Sequence, residues 1–138
     1  MNIERIEEIL HEEDGLSKTL GMEFISTPEP DTCQARMKVD HRNRQIFGFL
    51  SGGATLALAE NLAGVGSCAL CPDKICVGIN VSANHVKAVL EGDTVTARGR
   101  IIHQGRTLHT WHIEIVNGRG EIISSVQVTN FILNKPKS

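Results

Sequence analysis

The chain has 138 residues, 41% hydrophobic and 22% charged, with a formal net charge of -2 at neutral pH. This is the composition of a soluble globular protein with one core, and its weakly acidic balance gives no bulk charge for recognising nucleic acid or an anionic membrane. With 4% aromatic residues and no Tyr there is also no platform for stacking single-stranded bases.

The start of the chain lacks the basic opening and apolar centre of a signal peptide, so the sequence reads as cytoplasmic. Ile3, Ile6, Ile9 and Leu10 recur at helical spacing among Glu and Arg, which predicts an amphipathic helix over 2–14 ending near Gly15. Ser17 is expected to cap a second short helical turn before Gly21. Strands follow at 22–26 and 32–39, joined by the turn-forming run Pro28-Glu-Pro-Asp31.

After a loop over 40–50, Ser51-Gly52-Gly53 opens a helix that continues to about Leu70, and Pro72 forbids its extension. Apolar residues on nearly every side predict a helix that is surrounded rather than laid on a surface. Between Arg44 and Asp73 the only charged side chain is Glu60. Glu60, Asn61 and several glycines make this a packed core helix and not a membrane span. A carboxylate in such a run is costly to desolvate and needs a partner or a task.

Four strands are predicted over 75–89, 94–103, 108–116 and 121–133. The turns between them are short, and Asn117-Gly118 is a strong hairpin signal, so the four read as an antiparallel meander. The fold class is therefore α+β: an antiparallel sheet of five to six strands curled around one long central helix. One domain over 1–138 is expected, with an N-terminal helix in 1–15 and a loose tail at 134–138.

Trp111 alternates with Ile113 and Ile115 and reads as core packing. His109 and His112 point to opposite faces of their strand, which argues against a shared metal. Cys68-x-x-Cys71 has ligand-like spacing, but neither Cys33, Cys76 nor the histidines supply a matching second pair. The cysteines therefore read as small core residues of a reducing compartment, with no metal site.

Chemistry concentrates at the opening of the apolar helix. Its first-turn N–H groups at Gly52 and Gly53, at the positive end of the helix dipole, suit an oxyanion or a phosphate. Two turns on, Glu60 is placed to act as base or nucleophile, and Gln45 offers a further donor to a carbonyl. The competing reading of the same residues makes Glu60 a paired structural ion and the glycines a device for tight packing.

The motif Gln45-x-x-Gly48-x-x-Ser51-Gly52-Gly53-Ala54-x-x-x-x-Ala59-Glu60, then Asn80-x-Ser82-Ala83-Asn84-His85, Gly105-Arg106 and Trp111-x-Ile113-Glu114-Ile115, resembles the hotdog-fold acyl-CoA thioesterases. The branch it resembles contains the Arthrobacter-type 4-hydroxybenzoyl-CoA thioesterase and the phenylacetate-degradation type, over roughly residues 16–133. The resemblance implies that the Gly52 N–H polarises the thioester carbonyl with help from Gln45. It implies that Glu60 of a neighbouring subunit attacks the carbonyl or activates a water.

Asn84, His85, Lys87, Gly105 and Arg106 match positions near the nucleotide end of coenzyme A, although His85 also reads as a structural histidine on an edge strand. Ser51 stands where the family commonly has His, and Gly64 where it often has Thr or Ser holding a water. Ser51, Gly53 and Gly64 are thus the substrate-binding positions at which this chain differs from or completes the motif. Dimers joined edge to edge, and dimers of dimers, are implied. So is a reaction without a metal or bound cofactor, coenzyme A being part of the substrate.

The expected activity is hydrolysis of an aromatic or short-to-medium acyl-CoA, with an acyl-carrier-protein thioester as a variant. The alternatives are a non-catalytic acyl-CoA binding or sensing module and a hotdog-fold enoyl-CoA hydratase.

Overall fold

The computed structural model describes residues 1–136. Two short helices, α1 (Glu4–Glu12) and α2 (Leu16–Leu20), precede β1 (Met22–Ile25) and β2 (Thr32–Lys38). The long helix α3 (Gly52–Leu70) follows, then β3 (Lys74–His85), β4 (Thr94–Gln104), β5 (Leu108–Val116) and β6 (Ile122–Asn134). Among the described residues no helix is long and apolar enough to cross a membrane.

The six strands form one antiparallel sheet in the order β1-β2-β4-β5-β6-β3. A continuous meander was the expectation for the last four strands, and the sheet corrects it: β4, β5 and β6 form a meander, but β3 lies at the far edge, paired with β6. Strand β2 occupies the open side of β4, from Thr32↔Arg100 to Lys38↔Thr94, so the free side of β6 is what remains for the strand after α3. The predicted strand also ends early. Past His85 the regular ladder stops: Val86 and Lys87 N–H both donate to Ile123 O of β6 (2.8 and 3.3 Å), and Val89 O then accepts from Leu50 N–H (2.8 Å).

Two smaller expectations change. Gly15, not Ser17, occupies the N-cap of α2, and Ser17 is buried inside that helix. Asn134 still belongs to β6, opposite Lys74; residues 135–136 belong to no element, and residues 137–138 lie outside the described residues.

The core lies between α3 and the concave face of the sheet. Leu58, Ala59, Leu62 and Ala63 of α3 are fully buried against Val95, Ala97, Trp111, Ile113 and Val128. The inward parity of β4 (Val95, Ala97, Gly99) is the one its alternation predicted. The opposite flank of α3, through Ala57, Glu60, Asn61, Gly64 and Cys68, is only half-buried. The helix is therefore embedded on the sheet side and partly open on the other, where α1 and α2 give incomplete cover.

Two glycines of α3 illustrate the difference. A Cβ on Gly66 would lie 2.3 Å from the Trp111 ring, whereas a Cβ on Gly64 would meet nothing within 4 Å. Gly66→Ala is expected to lose at least about 1–3 kcal/mol through overpacking. Gly64→Ala is expected to gain about 0.5–1 kcal/mol from the helix preference for Ala. Urea unfolding of the two variants checks the opposite signs.

Candidate active site

Ser51 sits at the N-cap of α3 with extended backbone (φ -66, ψ 133), as predicted, but its side chain makes no capping hydrogen bond. Its carbonyl instead accepts from Thr55 N–H (3.0 Å) and Thr55 Oγ1 (3.2 Å). The first-turn N–H groups are thus left without a side-chain cap, at the positive end of a 19-residue helix.

A cavity of about 380 Å³ opens at this helix end, and Gln45, Gly52, His85 and Lys87 all line it. The Gln45 Oε1 accepts from Phe47 N–H, which fixes the amide and leaves its NH₂ as the available donor. His85 lies directly against the helix start, with Nε2 3.2 Å from where a Gly52 Cβ would be. Ser124 Oγ–H donates to Asn84 O (3.3 Å), so the 2.9 Å contact between Ser124 Oγ and His85 Nδ1 is donated by the imidazole. That leaves the Nε2 lone pair facing Gly52. Position 51 carries no imidazole, but the structure brings one to the same helix end from β3.

Lys87 pairs with Glu121 at the cavity mouth, and the pair together with Asn117 holds the Glu121 carboxyl below the usual range. Asn84 is exposed on the outer side of β3. Ser51 and Gly53 face another cavity, of about 290 Å³, on the other flank of the helix beside Leu16, Leu20 and Arg42.

Glu60 and Gly64 line a separate cavity of about 350 Å³ between α1, α3 and β3. Among the described residues Glu60 has no hydrogen-bond or salt-bridge partner, and it is half-buried rather than enclosed. Its carboxyl carbon lies 2.9 Å from where a Cβ on Gly78 would be, so β3 admits it only because residue 78 has no side chain. Eight residues of α-helix separate Gly52 from Glu60, a rise of about 12 Å. One chain therefore cannot bring both to the same carbonyl. Gly105 and Arg106, in the turn between β4 and β5, lie at the end of the sheet opposite His85.

The thiols of Cys33 and Cys76 are both pushed up to about 12, in each case chiefly by burial, with Cys68 adding to the effect at Cys76. They are held as thiols, not as reactive thiolates. Among the described residues no three His, Cys, Asp or Glu side chains converge as metal ligands.

One polar cluster has no single residue that marks it in the sequence. Ser67 Oγ accepts from Trp111 Nε1–H (2.9 Å) and Asn130 Nδ2–H (3.1 Å), which fills its lone pairs. Its own proton then goes to His109 Nδ1 (2.8 Å), fixing a neutral imidazole whose Nε2–H points at Cys71 Sγ (3.8 Å). Burial, with His103 a smaller influence, holds His109 below the ordinary imidazole value. The usable signal is parity: His109 shares the inward face of β5 with Trp111 and Ile113.

Residues 47–124 match the family model described as the thioesterase superfamily. A 1,4-dihydroxy-2-naphthoyl-CoA hydrolase of Escherichia coli (strain K12) is 38% identical over 105 residues, covering 75% of this chain and 76% of the relative. The crystal structure of a thioesterase from Haemophilus influenzae superposes with a TM-score of 0.86 at 33% identity, covering 97% of this chain and 92% of that one. That of a mutant thioesterase from Pseudomonas aeruginosa gives 0.88 at 32% identity, covering 98% and 96%.

The cluster around Ser67 makes two expectations measurable. Ser67→Ala strands donors on Trp111 and Asn130 and is expected to cost about 1–3 kcal/mol for each group left unpaired, read by urea unfolding. Because the folded state keeps His109 neutral, the unfolded chain takes up a proton first, below about pH 6.5. Stability should therefore fall as pH drops through that value, and His109→Gln should flatten the slope.

Proposed function

The chain belongs to the thioesterase superfamily and is a thioester hydrolase, and from that premise we propose that it hydrolyses an acyl-CoA, aromatic or short-to-medium in length, in sites shared between two copies. The observation that carries this reading is the separation of Gly52 from Glu60 along one rigid helix, in two different cavities. Strand β3 is an edge strand with Val77 and Ile79 exposed (39% and 58%), open to pairing with another strand. Two β3 edges paired antiparallel about a two-fold axis would bring the Glu60 end of one α3 toward the Gly52 end of the other.

In that composite site the thioester oxygen accepts from the Gly52 N–H and the Gln45 amide, at the place where negative charge develops. The Glu60 carboxylate takes a proton from a water that attacks the carbonyl carbon, or attacks that carbon itself, in which case a water then hydrolyses the resulting acyl-Glu60 anhydride to free acid and restores the carboxylate. The tetrahedral adduct collapses with cleavage of the C–S bond, and coenzyme A leaves as a thiolate that then takes up a proton. These steps use the chain's own groups and water, and coenzyme A enters only as part of the substrate.

The second copy would also bring Gly105 and Arg106 toward Lys87, placing two cations near the pyrophosphate and nucleotide. An acyl-carrier-protein thioester presents the same pantetheine and belongs to the same reading. On the outer sheet face Val77, Phe131 and Leu108 line up across three strands, an apolar row that supports pairing of dimers into a tetramer. A cytoplasmic location fits four free cysteines.

Thiol release from a panel of acyl-CoAs tests the reading. Glu60→Gln should lower kcat about 10²–10⁴-fold, and unchanged turnover would remove Glu60 from the chemistry. Binding of coenzyme A with no turnover of any thioester would make the chain a binding module instead. Neither Glu60→Gln nor Gln45→Ala alone should turn over well, but mixed subunits of the two rebuild one intact site per heterodimer and should recover activity. An active monomer by light scattering would contradict the shared site.

A further inference from the structure

We infer that α1 sets the upper limit on the length of the acyl group, with Ile6 and Leu10 as the side chains that determine it. The inference rests on the reading above, in which Glu60 acts at the thioester carbonyl. On that reading Lys87 and Arg106 gather near the nucleotide, so the pantetheine comes in past Gly52 and the acyl group is left the cavity beside Glu60.

That cavity holds about 350 Å³. Gly64 of α3 and Gly78 of β3 give it bare backbone on two sides, and a Cβ added at Gly64 would meet nothing within 4 Å. Ile6 and Leu10 come in from the third side and are the largest apolar side chains in its lining. They stand one turn apart on α1, so both reach the cavity from one helix face. The walls from α3 and β3 belong to the packed layers of the fold, and an acyl group lengthening away from Glu60 ends against α1.

This third wall is attached differently from the other two. None of the residues of α1 is fully buried, and Ile6 and Leu10 are half-buried against the core. Among the described residues the helix is tied to the sheet by one hydrogen bond, from Phe24 N–H to Glu7 Oε2 (2.9 Å), and just ahead of it Ile3 N–H donates to Ser26 Oγ (2.9 Å). It also lies outside residues 47–124, the stretch that matches the family model. The reacting groups thus stand on α3, which the core fixes, while the limit on length stands on a helix whose side chains can change in size without moving Glu60. In an apolar pocket one methylene too many or too few is worth about 10–200-fold in kcat/KM. Truncating a wall side chain leaves room that its surroundings only partly refill.

The test is kcat/KM along the series butanoyl-, hexanoyl-, octanoyl-, decanoyl- and dodecanoyl-CoA, with benzoyl-CoA as a reference ester, for wild type, Ile6→Ala, Leu10→Ala and Leu10→Phe. Wild type should fall off before the end of the series. Each alanine variant should move that fall to a longer homologue, raising kcat/KM for the first ester beyond the wild-type limit by about tenfold relative to butanoyl-CoA. Leu10→Phe should move it to a shorter one. Two positions and opposite changes in size keep the proposal open to refutation if one variant does not fold. The same limit in every folded variant, or an equal loss on all esters, would overturn the proposal and leave the thioesterase reading standing. So would a wild type with no fall along the series, or one that hydrolyses benzoyl-CoA and none of the series. Hydrolysis of no ester at all would overturn the thioesterase reading, and this proposal with it.

Discussion

The place where Trp111 crosses α3 fixes the rest of the molecule. The indole fits because Gly66 has no Cβ, and the next residue, Ser67, ties the contact with hydrogen bonds to Trp111, His109 and Asn130. Apolar packing alone sets how close a helix sits on a sheet but leaves it free to slide or rotate by small amounts. A hydroxyl shared among three groups from two strands permits one register, and leaving it unmade strands several buried polar atoms. From that point α3 projects in both directions as a rigid rod. Its start is delivered to the cavity with Gln45 and His85, and Glu60 is delivered to Gly78.

This anchoring explains why the chain looks unfinished on one side. The sheet face of α3 is dry, while the flank bearing Glu60 and Gly64 is half-buried, and the neighbouring strand β3 is an edge with exposed Val77 and Ile79. An edge strand with apolar side chains invites pairing, and natural proteins either block such an edge or use it. Among the described residues no strand pairs with its outer edge, and the bulge between Gly78 and Asn80 keeps it paired with β6 while Ile79 is exposed. The open edge and the divided site are two aspects of one geometry.

What the sequence discloses follows from how local each signal is. The limits of α3 were legible because Ser51 and Pro72 act on their own neighbours, and β5 was legible because a Gly-containing turn bounds it on either side. Which strand β3 joins was not legible, since that depends on β2 having taken the side of β4, a pairing between residues more than fifty positions apart. The turn of Val89 toward Leu50 is likewise non-local.

The candidate site divides in the same way. Gln45, Gly52, His85 and Lys87 do meet in one cavity, Glu60 and Gly64 meet in another, and Gly105 and Arg106 stand at the opposite end of the sheet. Ser67, His109 and Asn130 gave no individual signal, because a polar residue on an inward face is recognised only once its partners are known. His85 was legible as a site residue, but its place beside Gly52 depends on Ser124, a partner on another strand.

The distribution of polar partners separates structure from function. Asp40 is held by Arg42 and Arg100 by Asp31, while Ser67, Trp111 and His109 satisfy one another. These groups stabilise the fold or its surface, and each is accounted for by a neighbour. Among the described residues Glu60 is not: it lines a cavity against Gly78 with no hydrogen-bond or ion-pair partner. A core that meets its polar requirements elsewhere has no structural reason to leave a carboxylate unpartnered beside a cavity. The chemistry of this chain is therefore most economically read from what would meet that carboxylate: a carbonyl brought within its reach.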